Sequence, residues 1–134
     1  MIIIAFSNKT SKIIPNIVCR KYKHVAPIVP HNDKYIMYQF ISPGKIKKIV
    51  LRLRDITVLH AYGWDFLYLE NKSASYNFAV YHARTCVDFT KRIIGLKNIF
   101  IQTPWKLYKT LNSVNPRRCV CLSVMRRNKM QQNT

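Results

Sequence analysis

The most constraining stretch of this chain has the sequence TCVDFTKRIIG and runs from Thr85 to Gly95. Thr85 is a preferred N-cap residue, and Asp88 places a carboxylate in the first turn, as in a capping box. Gly95 follows the last apolar pair and is a typical helix stop. Cys86 and Phe89 then fall on one apolar stripe. The stretch predicts a helix that begins at Cys86 and buries one face.

The first position of a helix is chemically distinctive for a cysteine. Main-chain N–H groups and the helix dipole stabilise a thiolate there over a thiol. The same N–H groups can bind an oxyanion. Cys86 is therefore a candidate nucleophile. The alternative is a small core cysteine that happens to lie at a helix start.

Length and composition predict one globular domain, because 134 residues that are nearly half apolar can bury a real core. We expect an α+β domain over residues 1–114 and a basic C-terminal tail over residues 115–134. The longest apolar run, residues 1–6, is too short to span a bilayer and lacks the pattern of a signal peptide. We therefore expect neither a transmembrane segment nor export through a signal sequence.

The cysteines are too few for a disulfide framework in a chain of this size. Cys119 and Cys121 make a two-ligand fragment with no histidine or second pair nearby, which argues against zinc. We expect no metal, no cofactor and four reduced thiols: Cys19, Cys86, Cys119 and Cys121.

Charge is the strongest compositional signal. Twenty-three Lys and Arg residues oppose five Asp and Glu residues, giving a formal net charge of +18. Such a field favours an anionic partner: nucleic acid, an anionic envelope polymer or an acidic protein surface. An AT-rich genome also enriches lysine. The predicted polyanion-binding residues lie on one basic strand and in the tail: Lys45, Lys47, Lys48, Arg52, Arg54, Arg117, Arg118, Arg126 and Arg127.

Hydrophobic periodicity predicts short elements in succession, without repeats. The predicted strands are residues 2–6, 24–29, 34–40, 45–54, 64–70 and 99–101. The predicted helices, besides the one at Cys86, are residues 12–18 after Ser11, 56–62 capped by Asp55, and 104–112 capped by Thr103. Residues 76–82 fit either a strand or a helix.

Residues 24–40 predict a β-hairpin, with turn-forming residues at 30–33. Pro27 predicts that the first arm is an edge or bulged strand, because proline donates no ladder hydrogen bond.

The register of this hairpin decides which polar residue faces His24. If Val29 pairs with Lys34, antiparallel counting puts Gln39 directly opposite His24. A slip of one residue would put a neighbour of Gln39, either Tyr38 or Phe40, in that place.

His24, Gln39 and Cys86 are thus a candidate base, orienting group and nucleophile. A thiolate–imidazolium pair needs a base within hydrogen-bond reach and a polar group that orients the ring. His82, four residues before Cys86, is a rival base if the helix begins earlier. The remaining histidines are expected in surface or local capping roles: His31 and His60.

An early helix, the strand KHVAPIV, a second strand ending in YQF and the later TCVDFTKR resemble the permuted NlpC/P60 group. That group has a circularly permuted papain-like fold and includes the lecithin:retinol acyltransferase-like and YiiX-like proteins. The resemblance covers residues 1–111 and implies His24 as base, Gln39 as orienter and Cys86 as nucleophile. The group's third residue is often His or Glu, whereas Gln39 carries no charge.

The segments TCVDFTKRIIGLKN and TPWKLYKTL are also similar to small proteins of tailed bacteriophages. The resemblances imply a cysteine peptidase or amidase that acts on peptidoglycan or a virion protein. The alternative is an inactive, strongly basic virion or nucleic-acid-binding protein. The implied location is the virion or the bacterial host cytoplasm. The absence of a Gly-rich phosphate loop and of paired carboxylates argues against kinases, NTPases and glycosidases.

Overall fold

The computed structural model describes residues 1–9, 21–70 and 82–114. These residues form an α+β protein, the class that the sequence predicts. Its antiparallel sheet has five strands, in the spatial order Lys45–Leu51, Lys34–Ser42, His24–His31, Ile2–Ser7 and Trp64–Leu69. The elements are β1 (Ile2–Ser7), β2 (His24–His31), β3 (Lys34–Ser42), β4 (Lys45–Leu51), α1 (Leu53–Ala61), β5 (Trp64–Leu69), α2 (Cys86–Ile94) and α3 (Pro104–Val114). The predictions for residues 12–18, 76–81 and 115–134 lie outside the described residues.

The sheet separates two apolar clusters, because successive side chains of a strand point to opposite faces. Helix α1 packs on one face, here called the α1 face, through Ile56 and the inward residues Ile3 and Ala5 of β1. Helices α2 and α3 pack on the other, here called the α2 face. The core of the α2 face includes Ile2, Ile4, Phe6, Val25, Phe89, Ile93 and Leu107.

Helix α2 begins and ends where the sequence predicts. The Thr85 hydroxyl accepts a hydrogen bond from the Asp88 main-chain N–H at 3.0 Å. The Asp88 carboxylate in turn accepts from the N–H of Arg84 at 3.1 Å, one residue before the N-cap. Gly95 terminates the helix with φ of 72°, a left-handed conformation that glycine adopts at little cost. These local bonds fix Cys86 as the first helical residue.

The boundary between β4 and α1 differs from the prediction. Strand β4 ends at Leu51, and α1 begins at Leu53, with Arg52 as N-cap. Asp55 is not the cap; it lies inside the first turn and accepts the Arg52 N–H at 2.7 Å. Because Asp55 bonds the main chain from inside the first turn, the helix begins at Leu53, three residues before the predicted start at residue 56.

The β2–β3 turn is shorter than expected. Both strands run on to His31 and Lys34, which pair, so that only Asn32 and Asp33 form the turn. Asn32 has φ of 54°, which suits asparagine in a two-residue hairpin turn. Val29 consequently pairs with Ile36, and the assumed pairing of Val29 with Lys34 is wrong.

Pro27 lies in a central strand, and the expectation of an edge strand is wrong. Strand β2 has β1 on one side and β3 on the other. Pro27 pairs with Ile4 of β1, whereas the ladder to β3 begins only at Ile28. Proline has no main-chain N–H to donate. At Pro27 the strand is not paired with β3, so no hydrogen bond to β3 is lost there.

Residues 99–101, predicted as a strand, form a loop between α2 and α3. The Lys91 ammonium donates to the carbonyls of Asn98, at 2.6 Å, and Ile101, at 2.8 Å. The Asn98 side chain accepts from the N–H of Phe100 at 2.9 Å. The apolar run predicted a strand, but the carbonyl of Ile101 accepts its hydrogen bond from Lys91 of the preceding helix rather than from a neighbouring strand.

Candidate active site

Cys86 lies at the N-terminus of α2, partly buried against the core of the α2 face. Its carbonyl accepts a hydrogen bond from the Thr90 hydroxyl at 2.8 Å, one turn later. The nearest helical carboxylate, Asp88, would oppose a thiolate, but it forms an ion pair with Arg92 at 3.1 Å. The helix therefore presents Cys86 at its positive end, with the local negative charge compensated.

Helix α2 packs mainly on β2 and, to a smaller extent, on β3. Phe89 and Phe40 connect it to β3, with ring centroids 6.2 Å apart. The helix that carries the candidate nucleophile thus lies on the strand that carries the candidate base.

His24 is the first residue of β2 and pairs with Ser7 of β1, which pairs on its other side with Trp64 of β5. The three residues form a row across the end of the sheet. The His24 and Trp64 rings meet nearly edge to face, at 6.1 Å and 84°. Trp64 belongs to the α1-face cluster. Residues paired directly across neighbouring strands point to the same face, so His24 also lies on the α1 face.

The register therefore assigns the backbone positions of His24 and Cys86 to different faces of the sheet. His24 is the first residue of its strand, and its ring contacts Trp64 on the α1 face. The contact between the imidazole and the thiol stays a prediction.

Gln39 is not opposite His24. With Val29 paired to Ile36, the same count carries Gln39 to the level of Ala26, beyond the point where the β2–β3 ladder ends. Its partner is Lys47 of β4, and its side-chain amide lies 3.4 Å from the sulfur of Met37. The register therefore does not place Gln39 beside His24.

The other histidines occupy exposed positions. His60, in the last turn of α1, has Nδ1 3.0 Å from the carbonyl oxygen of Trp64, a local role as expected. His31 lies at the exposed end of β2. His82 is exposed and precedes the α2 N-cap by three residues, so it is not on the helix with Cys86.

A second candidate site is the basic edge, here defined as the exposed cations of β4 and the start of α1. Strand β4 is an edge of the sheet. Lys47 and Lys48, consecutive in the strand, point to opposite faces. No side chain of this set forms an ion pair within the described residues. The set consists of Lys45, Lys47, Lys48, Arg52 and Arg54. The predicted arginines of the tail, 117, 118, 126 and 127, lie outside the described residues.

The sequence pattern did not reveal a buried polar pair between β5 and the residues before β2. Tyr22 is only 1% exposed and donates a hydrogen bond to the carboxylate of Asp65. Burial, and then the bond to Asp65, raise the pKa of Tyr22 above the ordinary value for tyrosine. No periodic signal marks this contact, because its partners are far apart in the chain.

Comparisons with protein-family models, with curated proteins and with solved structures gave no significant match to this chain. Among residues 1–9, 21–70 and 82–114, no helix has the length and apolar character needed to cross a membrane. The same stretches contain no group of three or more His, Cys, Asp or Glu side chains placed to hold a metal ion.

Proposed function

We propose that this chain is a cysteine hydrolase of the circularly permuted papain-like type, with Cys86 as nucleophile and His24 as base. The observation that carries the proposal is a cysteine at the first residue of a capped helix that packs on the strand beginning with His24. The order of strand before helix is that of the permuted NlpC/P60 group.

In the proposed reaction, the thiol of Cys86 attacks the carbonyl carbon of a peptide or amide, and His24 accepts its proton. Main-chain N–H groups at the start of α2 stabilise the oxyanion. His24 then protonates the leaving amine, and a thioester remains on Cys86. Water, activated by His24, hydrolyses the thioester and releases the acid. The His24 ring, which contacts Trp64 edge to face, has to leave that contact to reach the thiol. Gln39 as orienting group stays a prediction.

The substrate class is a peptide or amide of the bacterial envelope or of a virion, in line with the resemblance to tailed-phage proteins. The proposal requires the His24 imidazole to reach the thiol round the end of β2. Variants of His24 therefore test the proposal more directly than variants of Cys86.

We expect Cys86 to be alkylated by iodoacetamide faster than any other cysteine of the folded protein near pH 7. His24→Ala should slow this reaction about tenfold or more, because the thiolate loses its imidazolium partner. Peptide mass spectrometry over a pH series gives the rate at each cysteine, so that Cys19, Cys119 and Cys121 serve as internal references.

His31→Ala is the matched control, since it removes an exposed imidazole from the other end of the same strand. Its alkylation rate should equal that of the wild type. Equal rates in wild type and His24→Ala would remove His24 from the site. A faster reaction at another cysteine would remove Cys86.

A second function, binding of a polyanion by the basic edge, is favoured by five exposed cations without ion-pair partners in the described part of the chain. It corresponds to a nucleic-acid-binding or virion structural protein. Two lysine side chains on opposite faces of an edge strand can contact a phosphate backbone that passes along the edge.

The triple variant of Lys45, Lys47 and Lys48 to alanine should bind duplex DNA more weakly than the wild type. The slope of log affinity against log salt concentration should fall by up to about 2.7, since each phosphate contact contributes about 0.9. Fluorescence anisotropy between about 50 and 200 mM salt measures the slope.

The matched control replaces three exposed cations elsewhere, Lys9, Arg84 and Lys97, by alanine. It removes the same charge and should leave most of the slope intact. If both triple variants lose the same slope, net charge rather than the basic edge carries the binding.

A further inference from the structure

Trp105, in the first turn of α3, is the outermost ring of a packed aromatic cluster. It stacks on Tyr108 with ring centroids 5.6 Å apart and planes 8° apart. Tyr22 lies against both rings, with centroids 5.7 Å from Trp105 and 4.8 Å from Tyr108. Tyr108 and Tyr22 are buried, whereas Trp105 is only partly buried. The buried rings therefore hold the indole in a fixed orientation at the surface.

Two lysine side chains approach this one indole. The ammonium nitrogen of Lys21 lies 5.7 Å from the Trp105 ring centroid, and that of Lys109 lies 5.8 Å from it. Lys21 is also 5.2 Å from the Tyr22 ring. Cation–π contacts occur about once per 70–80 residues. Two on one ring therefore concentrate positive charge at a single aromatic surface.

The two lysines bring like charges to one aromatic ring. Neither lysine forms an ion pair within the described residues. Both lysines are exposed, and since both ammonium groups lie near the same ring, their like charges repel each other. An anion between them would relieve the repulsion.

A partly exposed indole held by buried rings and flanked by two exposed lysines matches the chemistry of sites for single strands. In such sites the bases stack on aromatic rings while cations hold the backbone. We propose that Trp105, Lys21 and Lys109 form a binding site for single-stranded nucleic acid. A base stacks on the indole, and the two ammonium groups move to the phosphates on either side. A base pair inside a duplex cannot stack in this way, so the site selects single strands.

This site is separate from the basic edge. Helix α3 packs near β5, at the opposite edge of the sheet from β4. Four inter-strand spacings of about 4.8 Å lie between those edges. The test of the Trp105 site changes neither Cys86, His24 nor the basic edge, so its outcome does not depend on the outcome of the other two tests.

The test uses the full chain and oligothymidylate of about 16 nucleotides, measured by anisotropy. Trp105→Ala should weaken binding about 5- to 150-fold at fixed salt, the range for loss of one base–aromatic stack. Its salt slope should not change, because no charge is removed. Trp105→Phe should restore part of the affinity. Lys109→Gln should instead lower the slope by about 0.7, the contribution of one phosphate of a single strand.

Lys97→Gln is the matched control for charge and should leave binding unchanged. Duplex DNA of the same length is the control for stacking, and Trp105→Ala should not affect it. Equal affinity of wild type and Trp105→Ala for the single strand would overturn the site, as would an equal loss for both forms of DNA. If Trp105→Ala does not fold, Trp105→Phe and Lys109→Gln decide: wild-type affinity with an unchanged slope in both overturns the site.

Discussion

Phe89→Ala is expected to lower the free energy of unfolding by about 3–5 kcal/mol, the usual cost of deleting a buried phenyl ring. Phe89 is 1% exposed and lies in the middle of α2, between the helix and the sheet. Its ring meets Phe40 of β3 at 6.2 Å. The cavity would open where the helix of Cys86 joins the sheet, so the site would lose its support together with the fold.

Urea unfolding followed by circular dichroism measures this loss, and thermal unfolding should shift down by roughly 10–20 °C. Phe100→Ala is the matched control, because the same ring is removed where it is 74% exposed. Its effect should stay within about 0.5 kcal/mol. Similar losses in the two variants would mean that α2 does not pack on the sheet through Phe89.

Tyr22→Phe is expected to cost about 1.5–3 kcal/mol below pH 10, because a buried hydroxyl that donates to a carboxylate is lost. The bond joins the start of β2 to β5 through Asp65, and Tyr22 also supports Trp105. Tyr62→Phe is the matched control, since Tyr62 is 70% exposed. Its unfolding free energy should match that of the wild type.

The stability that the Tyr22 hydroxyl contributes should fall as the pH rises. The pKa of Tyr22 is raised in the folded state, so the unfolded chain releases the phenolic proton first as pH rises. The stability that Tyr22 contributes is therefore complete below about pH 10, the ordinary tyrosine pKa, and is lost above it. The difference between wild type and Tyr22→Phe should shrink by about 1.4 kcal/mol per pH unit there. A difference that stays constant from pH 8 to beyond pH 10 would contradict the buried hydroxyl–carboxylate bond.

Only part of the candidate site could be predicted from the sequence. Cys86 was placed correctly at a helix start, because Thr85 and Asp88 act on main-chain groups a few residues away. The hairpin pattern predicted a strand at His24, but the face of His24 depended on the pairing with β1 and β5, which the pattern of one strand does not specify. Gln39 was misplaced because two residues of turn length moved the whole register.

The residues proposed to bind polyanions could likewise be predicted only in part. The basic composition predicted an anionic partner, and β4 was read correctly as a basic strand. Tyr108, which lies between Lys106 and Lys109 in the sequence, is buried. Trp105, one turn earlier, is the ring that the lysines approach, and one of those lysines comes from residue 21.

The sequence by itself determined the helix at Cys86, the alternating strands and the excess of positive charge. Capping, periodicity and composition act within a few residues, so the chain carries them wherever it folds. Only the tertiary structure decided the central place of β2, the face of His24, the partner of Tyr22 and the loop held by Lys91. Each of these depends on which distant segments meet, and that choice is made by the burial of the two faces of the sheet together, not by any local stretch.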